Sequence, residues 1–186
     1  EVEKDNGQFE QNTQIFWASG ACFMVRMDDF NKAGGFDDLF FAHMEEIDLC
    51  WRLNNMGKKI YYCYGSMVYH VGSGTLPVES SFKTYLNFRN NLLMLYKSLS
   101  GYRFWKVFLI RLVLDGISGI YFLFKGEIKN IFSIIRAHFY FYFNFYRFKK
   151  VAHFSNLRSV IFPGSIVVEF FLKGKKRFRD LGWVNS

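Results

Sequence analysis

Residues 40–53 read FFAHMEEIDLCWRL. Ile47, Cys50 and Trp51 recur at i, i+3 and i+4, Leu49, Leu53 and Met56 form a second apolar row, and Gly57 supplies a stop. The spacing predicts a helix buried over most of its circumference. Asp48 and Arg52 stand four apart on the remaining polar side, as a supporting ion pair would. Glu45 and Glu46 fall in the first turn, where the helix dipole favours negative charge; that alone would account for a purely structural acidic pair. The flanking Phe40, Phe41 and Met44 add a second reading. Carboxylates in a partly desolvated place bind protons more tightly, and a general base becomes possible there.

The chain around this stretch has 186 residues, 51% of them hydrophobic and 21% aromatic, with 24 Phe and a net charge of +8. Residues 1–99 hold 9 basic and 12 acidic side chains, a balance of −3, while residues 100–186 hold 15 and 4, a balance of +11. The two parts are expected to do different jobs, with a boundary near residue 100: 1–100 as one unit and 101–186 as a basic, aromatic helical region. Cys22, Cys50 and Cys63 are an odd number, widely spaced among apolar residues, and read as reduced core thiols of a cytosolic protein. No CxxC pair occurs, and His43, His70, His138 and His153 have no metal-binding spacing among themselves, which argues against zinc. The start, EVEKDNGQFEQNTQ, is polar and acidic, without a signal peptide or an initiator methionine, and the chain is expected to begin inside something longer.

Before the acidic stretch, residues 1–14 read as a solvated loop, and WASG at 17–20 leads into an apolar run at 21–25 expected to be a buried strand. WASG is either a strand-entry turn or a loop that lines a ligand. Asp28 is suited to cap a short helix over 29–33, ended by Gly34 and Gly35, and Asp37 and Asp38 read as turn residues. After Gly57, residues 59–64 and 67–71 read as extended pieces, followed by the GSGT loop at 72–75, which matches no phosphate-binding pattern. Ser80 or Ser81 begins a long helix to about Ser98, with Tyr85, Phe88, Leu92, Leu95 and Leu99 as its apolar stripe and Lys83, Arg89 and Lys97 among its polar positions. Asn87, Asn90 and Asn91 are unusual in a helix interior: they either bond to a neighbouring loop or face solvent.

From residue 102 onward apolar runs alternate with single basic residues. No uncharged stretch exceeds about ten residues, short of the ~18–20 that a spanning helix uses, so these helices are expected to lie on a membrane. Residues 139–148 carry eight aromatics in ten positions and are flanked by Lys149 and Lys150, a composition suited to the headgroup boundary of an anionic leaflet. Lys173, Lys175, Lys176, Arg177 and Arg179 form a second basic cluster. The rival reading is a helical subdomain whose aromatics pack on one another. Nucleic acid is excluded as a partner, because Phe and Leu dominate where a polar groove with spaced aromatics would be needed.

In order, ASGA, GGFD, the acidic pair followed by DLCWRL, and YH before a Gly/Ser loop span about residues 16–99. As an ordered set they resemble the second half of the catalytic domain of family 2 glycosyltransferases, in particular bacterial rhamnosyltransferase-like members of cell-surface polysaccharide synthesis. The resemblance implies an α/β class, a partial GT-A Rossmann-like domain, and inverting transfer of a sugar from a nucleotide-sugar donor to a hydroxyl of a glycan or lipid-linked acceptor. It implies that Glu46 is the base that deprotonates the acceptor, with Glu45 beside it as a substrate-binding residue and Asp48 as runner-up. It further implies that Trp17, Ser19 and Gly20 line the donor and acceptor cleft, and that His70 helps hold a divalent metal, Mg2+ or Mn2+, at the diphosphate. Glu46 stands where the family has Asp; the extra methylene moves the carboxylate by about 1.5 Å at most. The family's nucleotide-binding half, with its DxD-type motif, has no counterpart in this sequence. The expected setting is the cytoplasm, at the inner face of the cell membrane. The alternative function is a non-catalytic membrane-adhering or assembly module.

Overall fold

In the computed structural model residues 4–69, 80–151 and 161–182 are described, apart from the side chain of Arg179. They are mostly helical and include a two-stranded sheet, an arrangement compatible with part of an α/β domain. In chain order they comprise β1 (Thr13–Ile15), α1 (Met27–Lys32), α2 (Glu45–Asn55), β2 (Ile60–Tyr62), α3 (Ser81–Ser98), α4 (Gly101–Phe124) and α5 (Ile128–Asn144). A 3-10 turn, Phe145–Arg147, closes α5, and a single π-helical turn, Val168–Leu172, follows later.

β1 and β2 pair antiparallel, with Gln14 opposite Tyr61. The strand expected at 21–25 does not form: the segment is irregular, and Met24 is almost wholly exposed. An extended segment becomes a strand only where a neighbour takes up its N–H and C=O groups, and the described sheet is confined to β1 and β2. Residues 67–69 are likewise exposed and unpaired in a ladder, while 70–79, including His70 and the GSGT loop, lie outside the described residues. The short helix starts earlier than expected. Its cap position is Arg26, which leaves Asp28 and Asp29 inside the first turn, where Asp29 pairs with Lys58 at 2.8 Å. Gly34 and Gly35, both at positive φ, end it as predicted, with the Gly35 N–H reaching back to the Phe30 carbonyl.

α3 begins at the predicted cap, the Ser80 hydroxyl accepting from the Phe82 N–H at 3.2 Å. Its burial departs from the expected single stripe: beside Tyr85, Leu86, Leu92 and Leu93, the polar residues Arg89, Asn90 and Lys97 are buried too. The helix is buried on two sides because α5 packs along one and the approach to α2 along the other.

The main core gathers Phe40, Leu92, Leu93 and Met94 with Phe104, Phe108, Phe141 and Phe148, so it draws on residues from both sides of position 100. Among the aromatics of 139–148, Phe141 and Phe148 are buried, whereas Phe139, Tyr142, Phe143 and Tyr146 are exposed. Between α4 and α5, Asp115 is buried and bonded to Arg111 Nε at 2.6 Å and to His138 Nε2 at 3.0 Å. α4 is long and apolar enough to cross a membrane by length and composition, which corrects the expectation from uncharged stretches. The helix runs on through its charges, and two of them, Arg111 and Asp115, neutralise each other one turn apart. Two of the three cysteines also depart from expectation: Cys50 is buried, but Cys22 and Cys63 are exposed.

Candidate active site

The entry to α2 is an unusual piece of backbone. Phe41, His43 and Met44 take φ values of 65°, 67° and 75°, a left-handed region in which a side chain costs about 1–2 kcal/mol per residue. Met44 is the cap residue of α2, and no side chain caps the helix there. The chain is held in this form from α3. Asn90 Nδ2 donates to the carbonyls of Phe40, Ala42 and His43 at 2.9, 2.7 and 2.7 Å, and Arg89 Nη2 donates to those of Leu39 and Phe40 at 3.2 and 2.9 Å. The open alternative for the α3 asparagines is thus decided for Asn90: it bonds to a loop.

Glu45 and Glu46 are the first two residues of α2, as the spacing predicted. Burial pushes the Glu46 carboxyl above the usual glutamate range, and the charge of Glu45 beside it pushes the same way. A side-chain hydrogen bond between the two carboxyls adds to the rise, and a backbone hydrogen bond to Glu46 opposes it. Over this pair lies the WASG loop: a methyl group added to Gly20 would sit 3.8 Å from Cβ, Cγ and Cδ of Glu46. The loop is moored along one face of α2. Phe16 meets Trp51 edge-on with ring centroids 5.1 Å apart, and Asn54 Nδ2 donates to the Phe16 carbonyl at 2.8 Å. Cys50 is drawn to the Ala18 backbone, while burial pushes its thiol upward. Ser19 turns inward on its own loop, its hydroxyl accepting from the Ala21 N–H at 3.3 Å, and Trp17 remains partly exposed. The loop borders an open groove of about 910 Å3, lined also by Cys22, Arg26, Cys50 and Lys58.

Asp48 occupies different surroundings from Glu46. It is fully buried and engaged by Arg52 at 2.7 Å and Lys97 at 2.9 Å; Lys97 also reaches Asp37 at 2.7 Å. Arg52 in turn donates to the carbonyl of Ala33. The predicted i, i+4 pair is present, extended by a lysine whose burial its spacing on α3 did not reveal. His43, to which the sequence assigned no role, stands just before α2; burial and the nearby Lys83 hold its proton affinity down, with Glu45 opposing. Among the described residues no three His, Cys, Asp or Glu side chains gather closely enough to hold a metal ion, and His70 lies outside them.

Stretches of 51 to 77 residues of this chain are similar to characterised proteins. Its relatives are glycosyltransferases. Over 51 residues it is 39% identical to rhamnosyltransferase WbbL of Escherichia coli K12, a match covering 27% of this chain and 19% of that protein. Over 56 residues it is 41% identical to the N-acetylglucosaminyl-diphospho-decaprenol L-rhamnosyltransferase of Mycobacterium tuberculosis, covering 30% and 18%. The low-salt glycan biosynthesis hexosyltransferase Agl10 of Haloferax volcanii is 31% identical over 77 residues, covering 41% and 25%. The chain thus spans no more than about a quarter of the length of these relatives. No protein-family profile matches it, and no solved structure does.

Proposed function

We propose that this chain forms the acceptor side of an inverting, family 2 type glycosyltransferase of GT-A fold that passes a sugar from a nucleotide-sugar donor to a glycan or lipid-linked hydroxyl, with Glu46 as the base. The observation that carries this reading is the Glu46 carboxyl itself. It is half-buried, its affinity for a proton is raised, and it faces the Gly20 loop. A base with raised proton affinity is closer to the working pH and better matched to a hydroxyl proton. In the step, Glu46 takes the acceptor O–H proton, the oxygen forms a bond to the anomeric carbon, and the bond from that carbon to the diphosphate breaks with its electron pair leaving on the phosphate. Attack opposite to the leaving group inverts the carbon. Trp17, Ser19 and Gly20 border the space where donor and acceptor meet, and Glu45 keeps its neighbour's proton affinity high. Asp48, tied to two cations, serves to hold α2. Among the described residues no cluster for Mg2+ or Mn2+ forms; a cation at the diphosphate would draw on His70 and on further carboxylates, and would neutralise charge on the leaving group.

The exposed apolar residues of α4 and α5, with Arg103, Lys106, Lys149 and Lys150 at one end of the pair, suit an anionic membrane at the cytoplasmic face. There they would hold the site near a lipid-linked acceptor. The decisive experiment is transfer from radiolabelled nucleotide sugars to membrane acceptors by the complete enzyme carrying Glu46→Gln. The expected result is a loss of about 10²–10⁴-fold with helical content unchanged. Wild-type turnover would sink the assignment of Glu46 as the base, whereas absence of transfer by the unaltered complete protein would leave the non-catalytic membrane module as the better account.

A further inference from the structure

Asn90 has no exposed surface, and each polar atom of its amide is committed. Nδ2 serves three carbonyls, those of Phe40, Ala42 and His43, and Oδ1 accepts from Arg89 Nε at 2.7 Å. Arg89 is oriented in its turn: it forks to the carbonyls of Leu39 and Phe40, and its guanidinium lies 5.4 Å and 5.1 Å from the ring centroids of Tyr85 and Tyr140. Two adjacent side chains of α3 therefore satisfy the carbonyls of the segment that enters α2. This is also the segment that holds Phe41, His43 and Met44 in the left-handed region, a conformation that persists only where surrounding structure over-determines it. The next two residues are Glu45 and Glu46.

Resting on the assignment of Glu46 as the base, we propose that Asn90, oriented by Arg89, is a positioning residue: it fixes the left-handed entry to α2 and thereby sets where the Glu46 carboxyl stands relative to the Gly20 loop. Without the amide, the carbonyls of Ala42 and His43 lose their side-chain donor, that of Phe40 keeps only Arg89 Nη2 from α3, and the entry relaxes toward ordinary backbone. The first turn of α2, which has no side-chain cap, shifts with it. A displacement of about 1 Å at a reacting group lowers turnover by roughly 100-fold.

The test uses two variants and two readouts. Asn90→Leu keeps the volume and removes the donors. Arg89→Lys is milder: it keeps the charge but loses the planar fork. In this chain labelled with 13C at glutamate carboxyls, the Glu46 signal is assigned by its loss in Glu46→Gln, and its titration is followed by NMR. The charged and titratable neighbours, Glu45 beside it and Cys50 one turn on, are the same in every variant, so a change reports the carboxyl's surroundings. The expected result is a titration midpoint that falls toward that of an ordinary glutamate in a cooperatively folded variant. In the complete enzyme, kcat falls about 100-fold while the donor KM holds. A wild-type midpoint in folded Asn90→Leu overturns the proposal; if that variant fails to fold, Arg89→Lys decides in the same way. Should Glu46→Gln turn over normally, the assignment of the base falls, and the titration still decides whether Asn90 places this carboxyl.

Discussion

The two acidic residues that open α2 and the one two positions later have the same charge and opposite fates. Glu46 is half-buried beside another carboxylate, and its proton is held more tightly than in the unfolded chain. A group with a raised pKa stabilises the fold at pH values below the ordinary glutamate value of about 4.3, and that contribution is lost as pH rises through the raised value. Glu46→Gln is therefore expected to melt above wild type at pH 8, with the difference closing toward pH 4. The gain stays under about 1 kcal/mol, since water screens a half-buried carboxyl. Melting curves at the two pH values check this, and coincident curves at pH 8 would mean that the carboxyl is fully solvated. The acidic pair and its desolvation were legible in the sequence, because Phe40, Phe41 and Met44 adjoin it. Asn90 was not legible as its support, because a hydrogen bond spanning fifty positions leaves no local pattern.

At the scale of elements, α2 and α3 are joined by charge. Asp48 of α2 bonds to Lys97 of α3 and to Arg52 of its own helix, and Lys97 reaches back to Asp37 in the loop before α2. Asp37 was expected to act only as a turn residue, and its bond to the Leu39 N–H at 3.1 Å is of that kind; the ion pair with Lys97 adds a tertiary role. Breaking such a buried network from one side leaves cations without a counter-charge. Asp48→Asn is expected to cost about 3–5 kcal/mol in urea unfolding, whereas a surface pair of the same composition would cost under about 1 kcal/mol. A loss of the smaller size would show that Asp48 is solvated. Periodicity placed α2 and α3 almost to the residue, since their apolar rows recur at helical spacing. It misjudged Arg89 and Lys97, whose charged ends find partners only on a different element.

Over the whole molecule, the aromatic excess is divided between an internal core and an outer face. Phe104, Phe108, Phe141 and Phe148 pack with Phe40 and Leu92, while Trp105, Leu109, Ile110, Val113, Ile117 and Ile120 of α4 stay exposed. Deleting residues 102–186 would thus remove half of the core along with the outer face, so point substitutions separate the two. Leu109→Glu combined with Val113→Glu is expected to abolish sedimentation with anionic liposomes and to leave the melting temperature within a few degrees of wild type. Unchanged sedimentation would show that α4 does not meet lipid. By itself the sequence determined α2 and α3, the Ser80 cap, the glycine stops after α1 and α2, the desolvated acidic pair, and the contrast in charge between the two parts of the chain. All of these follow from spacing and composition within a few turns of backbone. Only the tertiary structure decided which aromatics are core, which polar residues of α3 are buried, that α4 continues through its charges, and that residues 21–25 form no strand. Each of these depends on a partner distant in sequence: a neighbouring helix to cover a ring, a counter-ion to accept a buried charge, or an adjoining strand to complete a ladder.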